Sequence, residues 1–192
     1  AMFDYVSFGS AVQIAQRLMD DLVDLELEAV DAILQKIESD PEPIHVKKIE
    51  IDLWNKIKSA AQKGRRTGLG ITGMGDALAA LGIRYGSTES VDRTEEIYKV
   101  MAVNAYRSSV KMASERGPFP IFSRALESSH EFIQRVISVD PTLKEDYEKY
   151  GRRNIALTTT APAGSVSCLT QTTSGIEPAY LVSYTRRKKL TA

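Results

Sequence analysis

Residues 154–178 read NIALTTTAPAGSVSCLTQTTSGIEP, and their types suit an anion. Ala163, Gly164, Ser165, Val166 and Ser167 are small, so their backbone N–H groups can approach a ligand closely, and Ser165 and Ser167 add hydroxyls. Pro162, just ahead of them, has no N–H with which to continue a strand ladder. A strand that stops at a proline and turns into a short helix leaves unpaired N–H groups at the turn. Such a helix start favours an anion by about 0.3–1 kcal/mol when exposed and by up to about 2 kcal/mol when partly buried. The same letters also spell an ordinary strand–turn–helix with a serine cap. The residue types leave both readings open. Glu177, between Ile176 and Pro178, is a carboxylate in an apolar stretch and needs partners if it is buried. We read it as a support that orders the turn or pairs with an arginine, in preference to an acid–base group.

A second candidate is Gly68-Leu69-Gly70-Ile71-Thr72-Gly73, which matches G-x-G-x-x-G letter for letter. The dinucleotide fingerprint requires a hydrophobic strand before the first glycine and an acid about 20 residues on, at the end of a later strand. Here the glycines follow a basic helix end, and the acids in range, Glu89 and Asp92, open another helix. The preferred reading is a short strand over residues 68–72 whose glycines let a helix pack closely. A helical nucleotide-binding or interaction module using the glycine turn at Gly68–Gly73 is the alternative.

Three arginine pairs, Arg65-Arg66, Arg152-Arg153 and Arg186-Arg187, could assist a polyphosphate through guanidinium forks. They are read first as ion-pair partners of the acidic first helix, which carries Asp20, Asp21, Asp24, Glu26, Glu28 and Asp31. That cluster is correspondingly read as a solvated or base-facing surface, not a metal site. Cys168 is the only cysteine. It excludes a disulfide framework within the chain, suits a reducing cytoplasm, and is read as a small buried thiol. His45 and His130 stand far apart with no ligand spacing around them, so no zinc site is expected.

The elements that must position these residues are mostly helical. Residues 4–38 read as a long helix or helix pair, with Leu18, Leu22, Leu25, Ala29 and Ile33 at spacings of three and four. Pro41 and Pro43 end it. A second helix is expected over 49–63, with Leu53, Trp54, Ile57 and Ala61 on one side, and a short one over 73–81. Ser87 or Thr88 caps a long helix to about residue 115, whose buried side is marked by Ile97, Met101, Ala105, Ser108 and Met112. Two further helices are expected over 129–138 and 142–150. Strands are expected near 68–72, 155–160 and 179–184. At 192 residues the chain reads as one domain, with Ala1 a residue left by a tag. Lys+Arg and Asp+Glu both number 25, so a whole-domain electrostatic grip on nucleic acid is not expected. No apolar run approaches the ~20 residues of a membrane span.

Ala161-Pro162-Ala163-Gly164-Ser165-Val166-Ser167 followed by Thr173-Ser174-Gly175-Ile176-Glu177-Pro178 resembles the APTGTIS…SSGIEP signature of ribonucleotide reductase large subunits, most closely the adenosylcobalamin-dependent class II enzymes. Arg65-Arg66-Thr67-Gly68-Leu69-Gly70, Leu81-Gly82-Ile83 with Tyr85, Glu115-Arg116-Gly117-Pro118-Phe119-Pro120 and Tyr184-Thr185-Arg186-Arg187 continue the likeness in order. Ala163 and Ser165 stand where the family has Thr, and Val166 where it has Ile. Ala163 therefore lacks a hydroxyl, while its backbone donor is unaffected. The resemblance implies a helix-rich α/β fold that is part of a ten-stranded reductase barrel. It implies substrate phosphates bound by Pro162, Ala163, Gly164, Ser165, Val166 and Ser167, with Glu177 in support.

The family reaction needs a radical cysteine and two reducing cysteines, beside a glutamate and an asparagine. None of these motifs is found here, so no catalytic residue is assigned. The expectation is a later part of the catalytic barrel, cut from a longer cytoplasmic protein and inactive alone. Its partners would be a ribonucleotide and the rest of the reductase chain, with adenosylcobalamin as the parent's cofactor, not bound to this piece. An open half-barrel edge could also lead the fragment to associate with itself.

Overall fold

A computed structural model of the chain describes residues 2–181 together with Ser183, Thr185 and Arg187. Eight helices are present among them: α1 Tyr5–Ser39, α2 Ile44–Gly64, α3 Met74–Ala80, α4 Thr88–Arg116, α5 Arg124–Glu127, α6 Glu131–Ile137, α7 Pro141–Tyr150 and α8 Gly164–Thr170. Their ends follow local chemistry. Asp4 caps α1 by accepting the N–H groups of Val6 and Ser7, and Asp140 caps α7 ahead of Pro141 by accepting that of Thr142. Ser87 accepts the N–H of Ser90 at the start of α4. The first expected helix is a single one, and α2 begins five residues earlier than its apolar spacing indicates. The short α5 was not anticipated.

The chain divides into two compact units. One, the helical unit, comprises Asp4–Leu69 and Glu96–Thr159; the other, the loop unit, comprises Ala1–Phe3, Gly70–Glu95 and Thr160–Ala192. In the helical unit the expected face of α4 is the buried one: Ile97, Met101, Ala105, Ser108 and Met112 are all buried. Ile133, Val136 and Ile137 of α6 and Leu143 and Tyr147 of α7 are buried as well. Phe122 meets Phe119 and Tyr147 edge-to-face.

Two expectations are corrected here. The apolar stripe of α1 is not its packing face. Leu18, Leu22 and Leu25 are 53–59% exposed, whereas Val12, Gln16, Asp20, Val23, Val30 and Ile37 are buried. The physical reason is a polar core: α1 turns Gln16 and Asp20 inward to meet partners, and the helix rotates accordingly. On α2, likewise, Leu53 is exposed and Trp54, Ile57 and Ala61 are only half-buried.

The second correction concerns strands. Among the described residues there is no strand, only one parallel bridge, Leu69 to Thr158. The N–H of Leu69 donates to the carbonyl of Leu157 at 2.8 Å, and that of Thr159 to the carbonyl of Leu69 at 2.9 Å. The segments expected at 68–72 and 155–160 do lie side by side, but each has a single neighbour over about three residues, too little for a ladder. The barrel itself is thus not seen. Ala179, Tyr180 and Leu181 form no strand, and Val182 and Tyr184 lie outside the described residues. No helix among the described residues is long and apolar enough to cross a membrane.

Candidate functional site

The candidate turn lies in the loop unit. Pro162 is exposed, Ala163 is the N-cap position of α8, and the helix runs on from Gly164. A helix start leaves its first N–H groups without intrahelical partners. The Ser167 N–H donates to the Ala163 carbonyl at 2.9 Å, and the Ala163 N–H donates to the Ser174 carbonyl at 2.8 Å. Those two donors are engaged. The N–H groups of Gly164, Ser165 and Val166 have no hydrogen-bond partner among the described residues. Ser165 is exposed with its hydroxyl likewise unpaired, whereas the buried Ser167 hydroxyl donates to the Gly164 carbonyl at 2.8 Å. Of the six residues expected to meet phosphate, three therefore present backbone donors, and one of those three adds a hydroxyl.

No described residue crowds this point. A Cβ built on Gly164 would have no neighbour within 4 Å, and Gly164 does not need a left-handed backbone. The glycine is thus not required by packing. Cys168 is exposed, which corrects the reading of it as a buried thiol: so short a helix buries only Ser167.

The segment after α8 braces the turn. The Gly73 N–H donates to the Thr173 carbonyl at 2.9 Å and the Met74 N–H to the Gly175 carbonyl at 3.1 Å. Asp76, in the first turn of α3, accepts the Thr173 N–H at 2.6 Å and its hydroxyl at 3.1 Å. Thr172 donates its hydroxyl to that of Thr72 at 3.3 Å. Gly75 is packed from outside: an added Cβ would lie 2.6 Å from the Pro178 Cα and 2.8 Å from the Glu177 carbonyl oxygen. Glu177 itself is exposed, and its carboxylate makes no ion pair or hydrogen bond among the described residues. Of its two expected roles, ordering the turn or pairing with an arginine, the second is not seen among the described residues. Glu177 packs in two places: its backbone lies over Gly75, and its carboxylate lies over Gly175, where an added Cβ would be 2.8 Å from Oε2.

The same contacts close the glycine turn. Gly73 is left-handed at φ 71°, and the donors that would face a pyrophosphate at α3 are taken by carbonyls of residues 173 and 175. On the other side of the motif, helix α2 ends at Gly64, and Gly68 is preceded by the left-handed Arg65 instead of a strand. Neither half has the geometry of a dinucleotide fingerprint.

The arginine pairs divide by partner. In the helical unit Arg65 donates to Asp20 at 2.8 Å and to Asp24 at 2.7 Å, and Arg153 faces Asp20 at 3.4 Å. These are the expected pairs with the first helix. Arg152 instead pairs with Glu127, which also accepts the Tyr147 hydroxyl at 2.6 Å. Arg66 is exposed, and Arg186 lies outside the described residues. Asp20 is fully buried and also accepts an Asn154 N–H at 2.8 Å. Burial pushes its pKa up, but the Arg65 bond and charge, Asn154 and Arg153 outweigh that and leave it below the usual aspartate value. Guanidinium groups thus take the place a cation would have at Asp20, Asp21 and Asp24. Periodicity could not have found this network, because its members are polar. The one available signal was the unbroken acidic run opposite so many arginines.

The chain has relatives. It is 31% identical over 185 residues to the vitamin B12-dependent ribonucleoside-diphosphate reductase of Mycobacterium tuberculosis, covering 96% of this chain and 23% of the relative. It is 29% identical over 133 residues to the protein of that name from Thermoplasma acidophilum, covering 68% of the chain and 15% of the relative. It is 27% identical over 196 residues to the ribonucleoside-diphosphate reductase subunit alpha of Chlamydia pneumoniae, covering 92% and 16%. The chain spans about a quarter or less of the length of these curated relatives. The family model described as ribonucleotide reductase, barrel domain, matches residues 1–191, and the chain belongs to that family.

Proposed function

We propose that this chain is a later portion of the catalytic barrel of a ribonucleotide reductase and supplies the turn that binds the substrate's phosphates. The observation that carries the reading is the cluster of unpaired N–H groups at Gly164, Ser165 and Val166, inside the stretch that resembles the family signature. Family membership supports the reductase assignment. The substrate is a ribonucleoside diphosphate, in line with the names of the relatives. The parent is an adenosylcobalamin-dependent class II enzyme of the cytoplasm, working through a thiyl radical on a ten-stranded barrel. Two relatives named vitamin B12-dependent favour that class, although others carry general reductase names.

Cobalamin is not assigned to residues of this chain. Cys168 is the only cysteine, so three-thiol chemistry needs residues from elsewhere in the parent. The test is turnover. The whole reductase is expected to form deoxyribonucleotides from ribonucleoside diphosphates with adenosylcobalamin and a dithiol, and the 192-residue chain alone is expected to form none. Product from the isolated chain above background would overturn the assignment, as would an inactive whole protein.

A further inference from the structure

We propose that Asp76 is a positioning residue for the anion-binding turn, an inference that rests on the phosphate-binding reading above. Asp76 does not touch the turn. It grips Thr173 twice, through the backbone N–H at 2.6 Å and the hydroxyl at 3.1 Å. The carbonyl of the next residue, Ser174, accepts the N–H of Ala163 at 2.8 Å. Ala163 is the residue immediately ahead of the three unpaired donors, and its own carbonyl accepts the Ser167 N–H that closes the first turn of α8. A single line of contacts therefore runs from the Asp76 carboxylate through Thr173 and Ser174 to the start of the turn.

Other contacts of this segment make the line stiff. Carbonyls on both sides of Ser174, those of Thr173 and Gly175, are held by the N–H groups of Gly73 and Met74. Only the absence of a Cβ at Gly75 lets the Glu177–Pro178 backbone lie close enough to keep this register. Bonds from a carboxylate to an N–H and a hydroxyl are charge-assisted, and stronger than the carbonyl bonds beside them. Asp76 is thus the strongest single anchor of the segment. A negative charge is tolerated here beside an anion site because it lies in the first turn of α3, where the helix dipole favours it.

Fixing the donors before a ligand arrives lowers the ordering cost of binding, and the effect falls on the phosphate contacts alone. Asp76→Ala in the whole reductase should weaken CDP binding by about tenfold or more and cytidine binding by less than about twofold. Asp76→Asn keeps an oxygen in place and should stay within about threefold of the parent for CDP. Thr173→Val, which removes only the hydroxyl, should cost CDP about threefold, again sparing cytidine. Titration calorimetry with CDP and with cytidine, beside a thermal melt, reads all three.

The inference is overturned if Asp76→Ala binds CDP like the parent, or loses CDP and cytidine equally. If Asp76→Ala does not fold, Thr173→Val decides, and an equal effect on the two ligands overturns the inference. Gly164→Val separates the two levels of the argument. If it leaves CDP binding unchanged, the phosphate reading falls and this inference with it. If it weakens CDP while Asp76→Ala does not, only the positioning role is lost.

Discussion

The helical unit and the loop unit treat their polar groups in opposite ways. Around Asp20, buried carboxylate oxygens meet Arg65, Asn154, Arg116 and Arg153, and the Arg65 guanidinium also reaches Asp24 and the Asp20 carbonyl. Around Glu127, Arg152 and Tyr147 do the same, with Arg152 also donating to the carbonyls of Asn154 and Ile155. At Gly164–Val166, by contrast, three donors have no partner among the described residues, next to a segment held at Thr173, Ser174 and Gly175. A buried charge with all its partners is structure. The donors left over at the braced turn are the ones we propose meet phosphate. The difference separates the many arginines here, which stabilise, from the few small residues that we take to bind.

The sharpest way to break this contrast is Asp20→Ala. It takes from the buried Arg65, held in a left-handed backbone with φ 44°, the more buried of its two carboxylate partners, and leaves Asp24 and the backbone carbonyl of residue 20 to hold it. Removing one member of a buried pair costs about 3–5 kcal/mol, and denaturant unfolding of the chain should show a loss of that size. Acid tests the same group. Asp20 has a depressed pKa, so its contribution is complete above the usual aspartate value of about 3.9 and fades as the pH falls below it. Stability should fall between about pH 5 and pH 2, and less steeply in Asp20→Asn.

A smaller loss is expected on the other side of the comparison. Gly75→Ala forces a methyl group against the Pro178 backbone at 2.6 Å and should cost about 1–3 kcal/mol, read as a lowered melting temperature. Next in size, Tyr147→Phe takes one donor from Glu127 and leaves Arg152 in place, for about 1.5 kcal/mol by the same unfolding measurement. The tyrosine's pKa is raised by burial and by its bond to Glu127, so it stays protonated throughout the neutral range. The smallest effect belongs to the exposed stripe of α1. Leu22→Gln should change the stability of the isolated chain by less than about 0.5 kcal/mol.

How far the sequence disclosed this arrangement depended on what each element buries. Helix α4 was fully legible, because Ile97, Met101, Ala105, Ser108 and Met112 follow the helical period and the core takes them all. Helix α1 was legible as a helix but not in its orientation. Its inward residues include Gln16 and Asp20, and a hydrophobic pattern is blind to a face buried through hydrogen bonds. The segments at 68–72 and 155–160 were legible as extended, but not the bridge between Leu69 and Thr158 that joins them. A ladder depends on neighbours, and each segment finds one. In the candidate turn, the small residues and the proline stop were plain in the letters. That the Ala163 N–H is engaged was not, because its acceptor is Ser174, eleven positions on and beyond α8, in a segment held by α3. Asp76 gave no signal in sequence for the same reason.

The central claim is that Gly164, Ser165 and Val166 offer their N–H groups to the phosphates of a nucleotide. Gly164→Val in the whole reductase tests it most directly, since the protein leaves open space at this Cβ and the fold should be kept. The measurement is the dissociation constant for a ribonucleoside diphosphate, taken beside a melting curve. The account predicts affinity weaker by about a hundredfold or more, from several charge-assisted bonds lost together, with the melting temperature nearly unchanged. Unchanged affinity in a folded variant would contradict it and return residues 163–167 to an ordinary capped turn.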